Sequence, residues 1–140
     1  LIASVQPHFV VSDFWAPERV GPERARWVYP FRTLIREGVM VAGGSDCPVE
    51  PINPLLGIQA AVAREIFPEE RIGVDDALRV YTINAAYSSF EDDVKGSIEA
   101  GKLADLVVLS ENPLTVEPNK IGDIDVEMTV VGGKIVYVRP

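Results

Sequence analysis

Gly38-Val39-Met40-Val41-Ala42, followed by Gly43-Gly44-Ser45-Asp46-Cys47-Pro48, is the stretch that decides the fold. Val39–Ala42 is a short apolar run between glycines, which reads as a buried strand. Asp46 then lies just past a strand's C-terminal end, on a loop punctuated by Gly and Pro. In α/β barrels that rim is where catalysis is built. A carboxylate there can bind a metal or take a proton from metal-bound water. Turn chemistry is the alternative, because Asp in such a loop commonly bonds its own backbone. Local sequence alone weighs toward the turn.

Working upstream, Leu1–Gln6 alternates apolar with small or polar residues and meets Pro7, which predicts a strand ending there. Residues 7–21 read as a long loop, the kind that is functional or acts as a lid in a compact domain. Pro22 can open a short helix running to Trp27. Residues 30–37 continue as helix, with Phe31, Leu34 and Ile35 on one face and Gly38 as the stop.

Downstream, residues 43–54 form a Gly/Pro-rich loop. Leu55, Ile58, Ala61, Val62 and Ile66 share one helical face, ended by Pro68. A further helix runs from Val74 to about Ser89, with the stripe Ala77, Leu78, Tyr81 and Ala85. Asp75 and Asp76 sit in its first turn, where the helix dipole favours them. Strand, helix, strand, helix is the repeat of a parallel βα architecture. The pattern then changes. Residues 97–102 read as strand then turn, and Ala104–Leu109 as a strand. Asp125–Val131 and Lys134–Val138 flank Gly132-Gly133, a strong hairpin signal. The expected domains are therefore a βα part at 1–95 and a small β subdomain at 96–140.

Composition sets bounds. The 140 residues are 47% apolar and 24% charged, which suits one soluble globular domain with a real core. No apolar run approaches the roughly 20 residues a membrane helix needs. The opening residues carry no basic region or small-residue cleavage site. Net charge is −8, and seven of those negative charges are the excess in residues 51–140. That excess repels nucleic acid and anionic membranes, and no basic stripe offsets it. The single cysteine fits a reducing cytoplasm. The chain opens without methionine, already inside a strand, and reads as a piece of a longer polypeptide.

His8 is the one histidine and lies just past the first strand. If the two strands are parallel neighbours, His8 and Asp46 share one rim. Such a histidine can carry a proton, donate a hydrogen bond or bind a metal. It can equally be a loop residue packed under Phe14 or Trp15. One His, one Cys and scattered carboxylates give no His-x-His or Cys-x-x-Cys cluster. Cys47 reads as a small buried residue, since no basic partner is in sight to activate it. Gly43-Gly44 lacks the Lys-Ser/Thr tail and spacing of a phosphate loop. Arg24, Arg32 and Arg64 could hold an anionic substrate or make ion pairs.

Several strings together resemble the C-terminal part of amidohydrolase-superfamily enzymes. They are Ser4-Val5-Gln6-Pro7-His8, Trp15, Gly44-Ser45-Asp46-Cys47-Pro48-Val49, Tyr81–Ala86 and the run from Gly96 to Leu109. The group most similar is the metal-dependent hydrolases of the N-substituted formamide deformylase-like type. The resemblance implies an α/β fold: the last two βα units of a (β/α)8 barrel, followed by strands of a small β-sandwich. Leu1–Gln6 and Val39–Ala42 would be its seventh and eighth strands. Asp46 would contact a divalent metal, zinc, and shuttle a proton for the attacking water. Gln6, His8 and Trp15 would line the substrate pocket, although here His directly follows Pro.

The family's His-x-His and its later metal histidines are not in residues 1–140. The resemblance thus implies a parent enzyme that hydrolyses an amide-type C–N bond in a small molecule, and an isolated chain that is inactive. A different class of function is a non-catalytic, self-associating module, or a subunit completed by another chain. Open sheet edges invite such a homo-oligomer.

Overall fold

A computed structural model describes all residues 1–140. The first strand, β1, is Ile2–Val5, and the second, β2, is Met40–Gly43. They pair in parallel, with Ile2 opposite Met40 and Val5 opposite Gly43. Four short helices cross from one to the other: α1 Phe9–Ser12, α2 Ala16–Val20, α3 Pro22–Ala25 and α4 Phe31–Arg36. After β2 come α5 Pro54–Ala63, a 3₁₀ turn Pro68–Glu70, α6 Val74–Tyr81 and α7 Ile83–Ser88. A second, antiparallel sheet has the order β3-β4-β5, with β3 Leu106–Leu109, β4 Val126–Val131 and β5 Lys134–Val138. The chain is thus α/β, with a parallel pair and an antiparallel triplet.

Local chemistry explains the elements that position the rim. Asn53 caps α5, its Oδ1 accepting the Leu55 amide at 3.0 Å, and Pro54 takes the first helical position. The buried carboxylate of Glu70 accepts the Thr33 amide at 2.9 Å and the Thr33 hydroxyl. It thereby serves an unpaired donor in the first turn of α4. The core gathers Phe31, Val41, Leu55, Ile58, Ala61, Ala77 and Val80. Ile121 and Ile124, far along the chain, join it.

Five expectations are corrected. Residues 7–21 are not a plain loop but carry α1 and α2; helices of four and five residues are too short to show a period. The helix expected over 55–66 stops at Ala63, because Arg64 turns to extended backbone and sends its side chain to carbonyl groups. Pro68 opens a 3₁₀ turn instead of ending that helix. The helix expected from 74 to 89 breaks at Thr82 (φ −123°, ψ −96°), whose hydroxyl donates to the Leu78 carbonyl at 2.7 Å. Asn84 then ties α7 to β2 by donating to the Val41 carbonyl at 2.9 Å. Residues 97–102 form turns, not a strand. Lys102 Nζ donates to the Asp92 carbonyl and the Ser97 hydroxyl, drawing the segment back on itself.

Candidate functional site

The parallel register continues past the strands: the Gly44 amide donates to the Val5 carbonyl at 3.0 Å. Gln6-Pro7-His8 and Gly44-Ser45-Asp46 therefore leave the sheet at the same C-terminal edge, side by side. Gly43 makes this possible on the other face. A Cβ there would stand 2.7 Å from Val80 Cγ1, so α6 lies directly against the end of β2.

Asp46 occupies the left-handed region (φ +54°), which Asp tolerates better than most residues. The turn's side-chain bond comes from its neighbour: Ser45 Oγ accepts the Cys47 amide at 3.2 Å. The Asp46 carbonyl accepts the Val49 amide at 2.9 Å. The Asp46 carboxylate has no hydrogen-bond or ion-pair partner in the chain, and the residue is exposed. Cys47, read as a small buried residue, is exposed on the same turn, where the peptide before Pro48 is cis.

His8 is held. Its Nδ1 lies 2.5 Å from Glu50 Oε2, while Glu50 Oε1 accepts the Ser12 hydroxyl. Glu50 is only 8% exposed. The Ser12 hydrogen bond holds its carboxyl below the usual range; burial opposes that shift, and His8 adds to it. Glu50 is not distinguished by the sequence. Its one signal is a lone acid between Val49 and Pro51, which nothing local distinguishes from a solvated side chain.

A second link steadies the same segment. Tyr29 donates its hydroxyl to Asp13, just past α1, and burial together with Asp13 raises the tyrosine's pKa. Arg64 is 2% exposed and donates to the carbonyls of Ile66 (2.7 Å), Tyr29 (2.6 Å) and Val28 (3.4 Å). It is neither an ion pair nor a free anion binder. Burial lowers its pKa, partly offset by Glu70 and Glu69.

The predicted site residues are only partly brought together. Gln6 and Asp46 share the edge, but no hydrogen bond joins His8 to Asp46. His8 lines a groove of about 410 Å³ between α1 and α5, with Phe14, Gln59 and Asn119. Asp46, Gln6 and Trp15 do not line it. Trp15 is 41% exposed and lies under the Arg19 guanidinium at 4.6 Å.

No three His, Cys, Asp or Glu side chains lie together in a way that could hold a metal ion. A catalytic zinc takes three protein ligands. The donors of residues 1–140 do not by themselves fit such a centre. Asp46 stands alone, and His8 has one nitrogen committed to Glu50.

The unbonded carboxylate of Asp46 and the carboxylate-held imidazole of His8 thus follow adjacent parallel strands. Comparison with known proteins sharpens this. The model of the amidohydrolase family matches residues 1–137. The chain is 38% identical over 145 residues to the putative amidohydrolase YtcJ of Bacillus subtilis, covering 96% of this chain and 27% of that protein. It is 37% identical over 118 residues to the N-substituted formamide deformylase of Arthrobacter pascens, covering 80% of this chain and 22% of that one. A crystal structure of an uncharacterized metal-dependent hydrolase from Pyrococcus furiosus superposes with a TM-score of 0.76 at 38% identity, over 82% of this chain and 24% of the other. The chain belongs to the amidohydrolase family. It spans about a quarter of the length of these relatives.

Proposed function

We propose that residues 1–140 supply the last two βα units of a (β/α)8 hydrolase barrel (1–95) and strands of a small β-sandwich (96–140). The parent reaction is hydrolysis of an amide-type C–N bond in a small molecule, such as a formamide or a cyclic amide. Asp46 takes the proton from the attacking water and returns it to the leaving nitrogen. Gln6, His8 and Trp15 border the substrate. The observation that carries this is the Asp46 carboxylate, left without a partner just past the end of a parallel strand, at the sheet edge where Gln6 also leaves.

In this reading a divalent metal, zinc, belongs to the complete enzyme. Its remaining donors come from the three quarters of the relatives' length that this chain does not span. Nucleic acid and membrane are not partners, in keeping with the net charge of −8, and the compartment is the cytoplasm. The accessible surface also supports a larger body. It is 8870 Å², whereas a compact monomer of this mass exposes about 7,100 Å².

The test is zinc content and amide hydrolysis by the 140-residue chain alone. Neither stoichiometric zinc nor turnover is expected. Tight one-to-one zinc together with turnover would overturn the proposal.

A second reading, self-association, draws on one observation. Strand β5 is exposed along its whole length, with Ile135 and Val136 each 61% exposed and Val138 56% exposed. Sizing separates the two: a concentration-dependent dimer that Val136→Lys dissolves favours self-association, and a strict monomer opposes it.

A further inference from the structure

Glu50 has three properties that a solvated surface acid lacks. It is 8% exposed, both its oxygens are engaged, and its two partners come from a segment about forty residues away. Ser12 lies in α1, and His8 is the residue just before it. Glu50 follows the Asp46 turn by one residue, since that turn closes at Val49. The acid therefore bridges the two rim loops: the one that follows β1 and the one that follows β2.

The chemistry of this bridge has a direction. An ionised carboxylate accepts hydrogen bonds and cannot donate them. Ser12 fills one oxygen as a hydroxyl donor, so the proton shared with His8 has to be the imidazole's. Which nitrogen of a neutral histidine carries the proton is set by the bond its other nitrogen makes. With Nδ1–H turned to Glu50, Nε2 is left with its lone pair, and it has no partner in the chain. His8 keeps 21% of its side-chain surface exposed at the groove it lines.

We propose that Glu50 is a positioning residue for His8: clamped by Ser12, it fixes the imidazole as the Nδ1–H tautomer and leaves Nε2 as an acceptor at the groove His8 lines. This rests on the assignment of His8 to the substrate pocket. The tautomer itself, however, is measurable without any substrate. A group so presented accepts a hydrogen bond from an N–H or O–H of a small molecule, or takes its proton.

His8 is the chain's single histidine, so ¹⁵N-labelled imidazole gives one pair of nitrogen signals. With the ring neutral, the unaltered chain is expected to show a pyrrole-like Nδ1 and a pyridine-like Nε2. Glu50→Gln lets an amide donate as well as accept. It is expected to shift the population toward the Nε2–H form that free histidine prefers, at least severalfold. Glu50→Asp keeps the charge but retracts it by one methylene, and is expected to shift the same way. It serves if the glutamine variant does not fold. A pyridine-like Nδ1 in the unaltered chain, or an unchanged tautomer in the folded variant, would overturn the proposal. Turnover by His8→Gln in the complete enzyme tests the pocket assignment separately. Unchanged turnover there removes the substrate role and leaves the Glu50–His8 tautomer standing.

Discussion

The Gly44 amide reaches the Val5 carbonyl at 3.0 Å, one step beyond the last strand pair, Val5 and Gly43. That bond carries the parallel pairing one residue past the strands, to the point where both loops begin. It sets Gln6-Pro7-His8 beside Gly44-Ser45-Asp46, and everything proposed for the rim depends on it.

Arg64 bears much of the loop's order. Truncation to Ala would strip a donor from three part-buried carbonyl groups, of which only Tyr29's keeps another, the Phe31 amide. Buried acceptors left unpaired cost about 1–3 kcal/mol each, and the segment can relax to recover part of that. Arg64→Ala should lower stability by about 3 kcal/mol, read as a shift in urea midpoint. A change within 0.5 kcal/mol, the range of about ordinary surface substitutions, would contradict the role.

Glu50 should shape the acid limb of stability. Its folded pKa lies below its ordinary value, so in acid the unfolded chain binds the proton first. Its contribution is present above the ordinary glutamate pKa of 4.5 and is lost as pH falls through the folded value. Between pH 6 and 3 the urea midpoint should fall, and Glu50→Gln should flatten that fall. An equally steep acid limb in the variant would show that Glu50 is not its source.

Gly57 admits Tyr81 against α5. A Cβ at 57 would meet the tyrosine hydroxyl and stand 2.7 Å from its Cζ. Alanine gains about 1 kcal/mol of helix propensity over glycine, but overpacking costs about 1–3 kcal/mol. Gly57→Ala should therefore destabilise, and adding Tyr81→Phe should recover part of the loss. Burial pushes Tyr81 up to about 12, so in a spectrophotometric titration its ionisation should fall above the ordinary tyrosine value of 10.0. A stabilised Gly57→Ala would show that the two helices separate freely.

Much of this was legible in the residues. The two parallel strands followed from short apolar runs stopped by Pro7 and Gly43-Gly44, and the hairpin followed from Gly132-Gly133. The short helices α1 and α2 were not, because one helical turn carries no period. The break at Thr82 was hidden for a different reason: the stripe Ala77, Leu78, Tyr81, Ala85 continues through it, a threonine hydroxyl bonded four residues back also occurs inside unbroken helices, and the Asn84 bond to the Val41 carbonyl is a tertiary contact. At the rim, Asp46 stood out by its place after a strand. Glu50 did not, since its meaning lies in contacts with Ser12 and His8 about forty residues away, and no local pattern records those.

Asp46 is proposed as the proton-carrying carboxylate of an amide hydrolase. Its most direct measurement is the turnover of Asp46→Asn in the complete enzyme, followed as formate release from an N-substituted formamide and ring opening of a cyclic amide. The expected loss is about 10²–10⁴-fold in kcat, the range a general acid–base contributes, with the fold and the urea midpoint preserved. Unchanged turnover by a folded Asp46→Asn enzyme would contradict it.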